Sequence, residues 1–406
     1  MIKLVDSTLC TGCSSCANIC THHAIVMCED EEGFLHPYIN NERCSGCGLC
    51  IKTCPVVYSK TYSRIDKIKQ KAYALISYED QIISSSGGAF SVFAKWILKQ
   101  DGIVYGSTMD ENFQVFHIGI QNVIDLCKLR GSKYVQSKIG FTYHEVKDWL
   151  QVGRKVLFSG TPCQIAGLYS FLKENKYEGL LYTIDLVCHG VPSQKAFDAY
   201  INKINQELSS LCGNVESFRF RKTDSWSIIP TIKFTETKWN ILRNADNAYM
   251  NAFFKGLTFR ECCFRCNYCN TDRVGTFTIA DFWGIGKHGH KFKKNIARGV
   301  SLVIDNQGII PQIIDSLHQY AYIEERWMDE AVAEQTNLRH PISRNEMRDD
   351  IVKDMINQEI SLKDFSKKYG LSYQKTISSI LKDNMKILIL RFGLYNFYKT
   401  ISYKIS

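Results

Sequence analysis

The chain has 406 residues, a formal net charge of +9, 45% hydrophobic residues and 17 cysteines. The length admits two or three domains with a sizeable core, and the composition is that of an ordinary folded protein, which excludes disordered and collagen-like classes. The charge, modest at this length, permits acidic partners such as phosphates, acidic redox proteins or anionic lipid, but does not demand nucleic acid, and none is expected.

No run of about 18 apolar residues occurs, and Met1 to Cys10 is too short and too mixed for a signal peptide, so a cytoplasmic protein is expected. In a long chain without a leader, grouped cysteines point to metal rather than to disulfides.

The groups begin at once. Cys10, Cys13, Cys16 and Cys20 follow the C-x2-C-x2-C-x3-C pattern, and Cys44, Cys47, Cys50 and Cys54 repeat it, with Pro55 after the last. This is the two-cluster ferredoxin spacing, in which the fourth cysteine of each run ligates the other cluster. It predicts one 4Fe–4S cluster on Cys10, Cys13, Cys16 and Cys54, and a second on Cys44, Cys47, Cys50 and Cys20. Gly12, Gly46 and Gly48 allow the sharp turns that bring three thiolates to one cube. Zinc is the rival, but its sites use paired cysteines with longer gaps. Thr21 stands where a proline is usual after the first run, and proline donates no ligand. Between the runs, "AIVMCEDEEGFLHPYIN" reads as a hairpin turning near Gly33, with Cys28 outside both sets.

Residues 59–71 are polar and basic and read as a linker after a ferredoxin domain at 1–58. "KAYALISY" is a strand. "SSSGGAFSVFAKWILKQDG" then passes from a flexible Ser/Gly loop into a helix with Val92, Phe93, Trp96 and Ile97 at helical spacing. A strand, a Ser/Gly loop and a helix N-terminus form a ready anion site. A bare Gly-Gly is weak evidence, and alone it reads as a structural turn.

"GIVYGSTM" and "FQVFHIGI" are further strands. "LRGSKYVQSKIG" places Arg130, Lys133 and Ser137 on one loop. "EVKDWLQVG" is helical and "RKVLFSG" is a strand. Repeated strand–loop–helix units argue for an α/β core with a largely parallel sheet, giving an α+β chain overall. In such sheets ligands sit beyond the carboxyl ends of strands, where Ser159 to Cys163 and Cys188–His189 fall. Cys262, Cys263, Cys266 and Cys269 return later within eight residues. They fit a third cluster, a zinc knuckle or a partial site, and adjacent Cys262 and Cys263 point to different sides. Cys127 and Cys212 read as core residues.

"SSGGAF", "LRGSKYVQS", "VLFSGTPCQIAGL", "DLVCHGVPS", "RECCFRCNYC" and "TIADFWGIG" occur in this order. Together they resemble the coenzyme F-420 (8-hydroxy-5-deazaflavin) hydrogenase/dehydrogenase beta-subunit family, which also includes 7-hydroxymethyl chlorophyll a reductase. The resemblance runs over about residues 70 to 300. It implies FAD beside a third 4Fe–4S cluster held by Cys163, Cys188, Cys263 and Cys266. Cys269 is an alternative to Cys188. For Cys163 a buried structural thiol or a redox nucleophile at a helix N-terminus remains open.

The resemblance places Ser86, Gly87 and Gly88 on the FAD pyrophosphate. Lys133, Tyr134, Gln136 and Ser137 fall around the phosphate and ring, and Asp281, Phe282 and Trp283 border the cofactor. Plain core packing is the other reading of Trp283. His189 is placed to donate a proton near the flavin, with capping or packing as the alternative.

The implied core spans residues 72–150 and 151–330, followed by a helical tail at 331–406. The implied activity joins one-electron cluster chemistry to hydride transfer with a deazaflavin-like or other small organic donor or acceptor. A ferredoxin or an oxidoreductase subunit is the expected redox partner. The alternative is a non-catalytic electron-transfer subunit, and a sugar- or nucleotide-modifying domain behind the ferredoxin is a third reading that the core motifs oppose. In the tail, "EISLKDFSKKYGLSYQKTISSILKDN" reads as two short helices around Gly370, a docking pair rather than a helix-turn-helix. From Lys382 the basic, aliphatic and aromatic mixture suits a packed helix or a peripheral membrane contact.

Three complete cysteine sets predict about twelve iron atoms per chain in anaerobically purified protein. A value near eight with every core cysteine intact contradicts the third set.

Overall fold

The computed structural model describes residues 3–58, 69–173, 177–223, 225–242, 247–287 and 291–371. The 59–68 part of the expected linker, the second of the two short tail helices and the basic C-terminal segment lie outside the described residues.

The N-terminal module is built on two short helices, α1 (Ser15–Asn18) and α2 (Leu49–Lys52), and a hairpin of β1 (Ile25–Glu29) and β2 (Leu35–Ile39). Ile25 faces Ile39 and Glu29 faces Leu35, so the turn falls where the sequence placed it. Asp30 Oδ1 accepts the Glu32 and Phe34 amides at 3.0 and 2.9 Å and closes that turn.

The core follows in chain order as β3 (Lys71–Ser77), α3 (Ala89–Leu98), β4 (Ile103–Met109), β5 (Val115–Ile120), α4 (Leu126–Leu129), α5 (Thr142–Gln151), β6 (Val156–Gly160), α6 (Pro162–Leu172) and β7 (Leu181–Leu186). Next come α7 (Gln194–Cys212), β8 (Val215–Arg219), β9 (Thr231–Phe234), β10 (Asn240–Ile241), α8 (Ala248–Phe254), β11 (Phe277–Asp281), β12 (Ser301–Asp305), α9 (Ile310–His318), β13 (Ala321–Arg326), α10 (Met328–Ala333), α11 (Arg348–Asn357) and α12 (Leu362–Lys368).

Among the described residues the central sheet has eight strands in the order β13-β3-β12-β11-β7-β6-β4-β5. Only β4–β6, β6–β7 and β7–β11 pair parallel, so the sheet is mixed rather than largely parallel. The reason is local. The short Asp110–Gln114 turn joins β4 to β5, and a tight turn can only return the chain antiparallel. The other side is antiparallel because β3 inserts between β12 and β13. The two expected halves of the core therefore share one sheet.

Leu157 packs on the α3 side, while Val156 and Phe158 pack on the α5–α6 side, as strand alternation requires. Phe93 of α3 stacks on Phe277 of β11 with ring centroids 4.4 Å apart. A second unit, not foreseen from the sequence, joins α7, the β8–β9–β10 sheet and α8 with α11 and α12 around Phe197, Tyr200, Phe218 and Tyr249. No helix among the described residues is long and apolar enough to cross a membrane.

The N-terminal module is docked on α6. Ser15 Oγ donates to the Gly167 carbonyl at 2.9 Å, and Ser170 Oγ donates to the Thr53 carbonyl at 2.6 Å. Arg348 of α11 pairs with Glu32 in the hairpin turn.

One ion pair ties the carboxyl end of β7 to the segment that leads into β11. Asp185 accepts Arg273 at 3.0 Å and the Val274 and Gly275 amides at 3.0 and 2.9 Å, and neither side chain meets solvent. Arg273→Met strands a buried carboxylate, so it should cost about 3–5 kcal/mol, read as a lower urea midpoint of the core transition. An unchanged midpoint contradicts this role.

Candidate functional site

A cavity of about 870 Å³ opens at the carboxyl ends of β6 and β7. Its size falls in the roughly 300–1,000 Å³ range of cofactor and ligand pockets. The loop before α3, the 129–137 segment, Leu186 to Val191 and Ile279 to Asp281 all reach it.

The expected phosphate loop divides in two. Ser86 and Gly88 line the cavity and Gly87 does not. A Cβ on Gly87 would overlap the Leu75 carbonyl and the Ser301 amide, so this glycine lets the loop lie against the sheet. Gly88 has φ +89°, and a Cβ there would come within 2.9 Å of Ser77 Cβ. It starts α3 without a cap of its own; Ser301 Oγ accepts the Ala89 amide at 3.3 Å, and the Phe90 and Ser91 amides follow at the cavity. Arg130 is not a free cation among them: it pairs with buried Asp80 at 2.6 Å, and Lys95 pairs with Asp80 at 2.8 Å.

In the 129–137 segment, Lys133, Tyr134 and Ser137 line the cavity. Lys133 Nζ donates to the carbonyls of Ser107 (2.9 Å), Leu129 (3.1 Å) and Arg130 (2.9 Å). Burial pushes its pKa down to about 7. Gln136 turns the other way. It donates to the Thr11 carbonyl at 2.9 Å and accepts from Arg260 at 3.1 Å, in the seam with the N-terminal module.

His117 was not singled out from the sequence, and nothing in its spacing marks it. Its Nε2–H donates to the Ser159 carbonyl at 2.9 Å, so Nδ1 accepts the Ser137 hydroxyl at 2.7 Å. Ser137 thus spends its proton on His117 and offers the cavity only an acceptor. Burial holds His117 down at about 4.

Asp281 is saturated. Arg221 donates at 2.6 and 3.1 Å and Trp226 Nε1 at 2.6 Å. Trp226 stacks on Trp283, centroids 4.9 Å apart and 6° from parallel, and Trp283 keeps 36% exposure at the cavity edge. Packing and cavity lining therefore coexist at Trp283, whereas Phe282 is fully buried in the core. His189 lines the cavity with both ring nitrogens engaged, Nδ1 toward Asn337 Oδ1 at 3.0 Å and Nε2 toward the Phe254 carbonyl at 3.3 Å.

The thiols fall into three neighbourhoods. Cys20, Cys44, Cys47 and Cys50 surround one small cavity at the tip of the N-terminal module. Cys10, Cys13 and Cys54 share a second neighbourhood with Cys16. Burial pushes Cys13 up to about 12 and raises Cys16, and the other thiols add to both shifts. At Cys10 burial also raises the pKa, but hydrogen bonding from His36, the charge of Arg260 and the Gly12 amide outweigh it and the net shift is downward.

The third neighbourhood gathers Cys163, Cys188, Cys262 and Cys266. Cys163 sits in the first turn of α6, where Thr161 and Gln164 form a capping box and Thr161 Oγ1 lies 3.1 Å from its sulfur. Burial raises Cys163, and Cys188, Cys262 and Cys266 add to it; burial likewise pushes Cys188 up to about 12. Cys263 donates to Cys262 and lowers it, and Cys269 donates to Cys266 and lowers it to about 7. Cys263, expected as a ligand beside Cys163, packs against the aromatic unit while lying in the field of Cys188, and Cys262 lies in the field of Cys163. Cys188 also lines the large cavity. No three such side chains converge on a single metal-ion position among the described residues, and a cube with one iron per thiolate needs no such point. Cys127 proves exposed rather than core, and Cys212 is only partly buried.

With this geometry in view, comparison with known proteins is specific. Residues 153–331 match the model for the C terminus of the coenzyme F420 hydrogenase/dehydrogenase beta subunit, and residues 9–57 match a 4Fe–4S dicluster domain. The core over residues 153–331 is thus similar to the C terminus of that beta subunit, and it follows an N-terminal segment that matches a 4Fe–4S dicluster domain. The chain is an iron–sulfur protein of the oxidoreductase type. A chain of the F420-reducing [NiFe] hydrogenase complex from Methanosarcina barkeri, solved after xenon derivatisation, is similar at 15% identity and a TM-score of 0.42. That match covers 74% of this chain and 90% of that one. No curated protein matches.

The His117 geometry predicts a pH dependence. Its folded pKa of about 4 lies below the ordinary 6.5, so the unfolded chain takes up the proton first and stability is lost as pH falls from 6.5 towards 4. By pH 5 the wild type should lose about 2 kcal/mol relative to His117→Gln, measured by urea unfolding at both pH values. Parallel pH profiles for the two proteins contradict the assignment.

Proposed function

We propose that this chain passes electrons between a ferredoxin-type pair of clusters and FAD bound in the large cavity, with hydride exchange to a deazaflavin-like or other small organic substrate. The observation that carries the reading is continuity. Cys50 and Cys20 of the tip group pack in one small apolar cluster with Cys16 of the second group, Cys262 lies in the field of both Cys10 and Cys266, and Cys188 belongs at once to the third thiol group and to the cavity wall.

In this reading the core cluster is held by Cys163, Cys188, Cys262 and Cys266, with Cys263 and Cys269 donating hydrogen bonds to two of the ligands. A flavin exchanges a hydride or two single electrons while a cluster exchanges one electron, so a chain holding both joins the two kinds of chemistry. The Phe90 and Ser91 amides at the start of α3 suit the pyrophosphate. Lys133, anchored by three carbonyls, borders the same space, and Leu186, Val187 and Ile279 form its apolar wall. His189, oriented by Asn337, holds a ring proton at the edge of the same space. A non-catalytic adaptor needs no such cavity.

The redox partner, a ferredoxin or an oxidoreductase subunit, docks at the tip. There Cys47 is exposed, and side chains built on Gly46 or Gly48 would meet nothing within 4 Å.

The test is Cys163→Ser. The variant should lose about four irons, keep its flavin and both dicluster signals, and reduce flavin slowly from the cluster side. Full iron with only turnover lost makes Cys163 a nucleophile or proton donor instead. Wild-type protein that binds no flavin contradicts the reading outright.

A further inference from the structure

Arg260 is among the most deeply buried side chains of the chain, 2% exposed, and it lies in the seam between the N-terminal module and the core. Its Nε donates to the Cys10 carbonyl at 2.6 Å, one Nη to the Leu35 carbonyl at 2.9 Å, and the other to Gln136 Oε1 at 3.1 Å. The guanidinium also lies 5.4 Å from the centroid of the Phe34 ring.

What it lacks is a carboxylate. The other buried arginines are each paired: Arg273 with Asp185, Arg221 with Asp281 and Arg348 with Glu32. Among the described residues no acidic side chain pairs with Arg260. An arginine cannot shed its proton, and a buried charge without a counter-charge costs several kcal/mol. Two carbonyls, the Gln136 amide oxygen and the His36 ring, whose own carboxylate partner is Asp30, surround the guanidinium and leave it without a carboxylate of its own.

We propose that the counter-charge of Arg260 is the anionic cluster on Cys10, Cys13, Cys16 and Cys54, and that Arg260 sets the reduction potential of that cluster. The proposal rests on the assignment of those four cysteines as one ligand set. A thiolate-bound cube is an anion, and it gains a further negative charge on reduction. A fixed cation donating to the backbone of a ligand residue stabilises the reduced state more than the oxidised one. The cluster at the tip, on Cys20, Cys44, Cys47 and Cys50, is more exposed, and the cations beside it, Arg43 and Lys52, are themselves exposed to solvent rather than buried against a ligand backbone. The inner cluster is therefore the stronger electron acceptor of the two, and charge is drawn from the docking tip towards the core. Arg260 acts here as a positioning residue for charge and touches no substrate.

The test uses potentiometric EPR titration of the full-length protein with its clusters assembled. Arg260→Gln removes the charge, and Gln136→Glu supplies the missing carboxylate where an Nη already donates. Both should lower the inner cluster's midpoint, changing its reduced-to-oxidised ratio at fixed potential by about tenfold, which is ~59 mV for one electron. Arg260→Lys keeps the charge but not the fork, and should stay within about threefold of wild type. The tip cluster should not move in any variant. An unshifted inner midpoint in either charge-cancelling variant, with iron content intact, overturns the proposal, as does Arg260→Lys behaving like Arg260→Gln. If Arg260→Gln does not assemble its clusters, Gln136→Glu decides alone. Absence of the inner cluster from wild-type protein would instead remove the ligand assignment on which the proposal rests.

Discussion

The N-terminal module reaches the core only because residue 167 has no side chain. A methyl group on Gly167 would sit 2.9 Å from Cys13 Cβ and 3.1 Å from its sulfur, and Ser15 hydrogen-bonds the carbonyl of the same glycine. Gly167 lies on α6, the helix whose first turn carries Cys163. One helix therefore presents a thiol of the third group at its start and receives the second group against its middle. The strand β6 that feeds α6 also brings Ser159 and Gly160 to the cavity. Cavity and thiol groups are held in fixed relation by a strand, a capped turn and a helix.

Charged groups make that relation rigid where loops meet. Asp185 with Arg273, Asp80 with Arg130 and Lys95, and Asp281 with Arg221 each join segments distant in sequence at the strand ends. Such pairs add little net stability, but losing one partner is costly, so they specify geometry more than they stabilise it. Arg260 departs from this pattern, with carbonyls, an amide and the His36 ring for partners and no carboxylate, and it does so at the seam between module and core.

The parts of this arrangement visible in the sequence are those encoded locally. The cysteine spacing, the hairpin at Gly33, the strands beginning at Lys71 and Val156 and the capped turn at Thr161 depend on neighbours a few residues away. Sheet direction was not visible, because the insertion of β3 between β12 and β13 joins segments more than two hundred residues apart. The surroundings of Gln136 and Gly87 were not visible for the same reason. Both sit on the expected loops, but one faces the N-terminal module and the other the sheet. The choice between Cys262 and Cys263 turns on which way a single 3₁₀ turn presents two adjacent residues, and spacing alone does not settle that. His117 and Arg260 carry no local signature, and only burial and partners single them out.

The central claim is that three thiol groups form one electron path ending at the cavity. EPR spin quantitation of the fully reduced wild-type protein tests it most directly. The account predicts about three spins per chain, with line shapes broadened by mutual magnetic coupling. Two spins, or three with the line shapes of isolated centres, would contradict it.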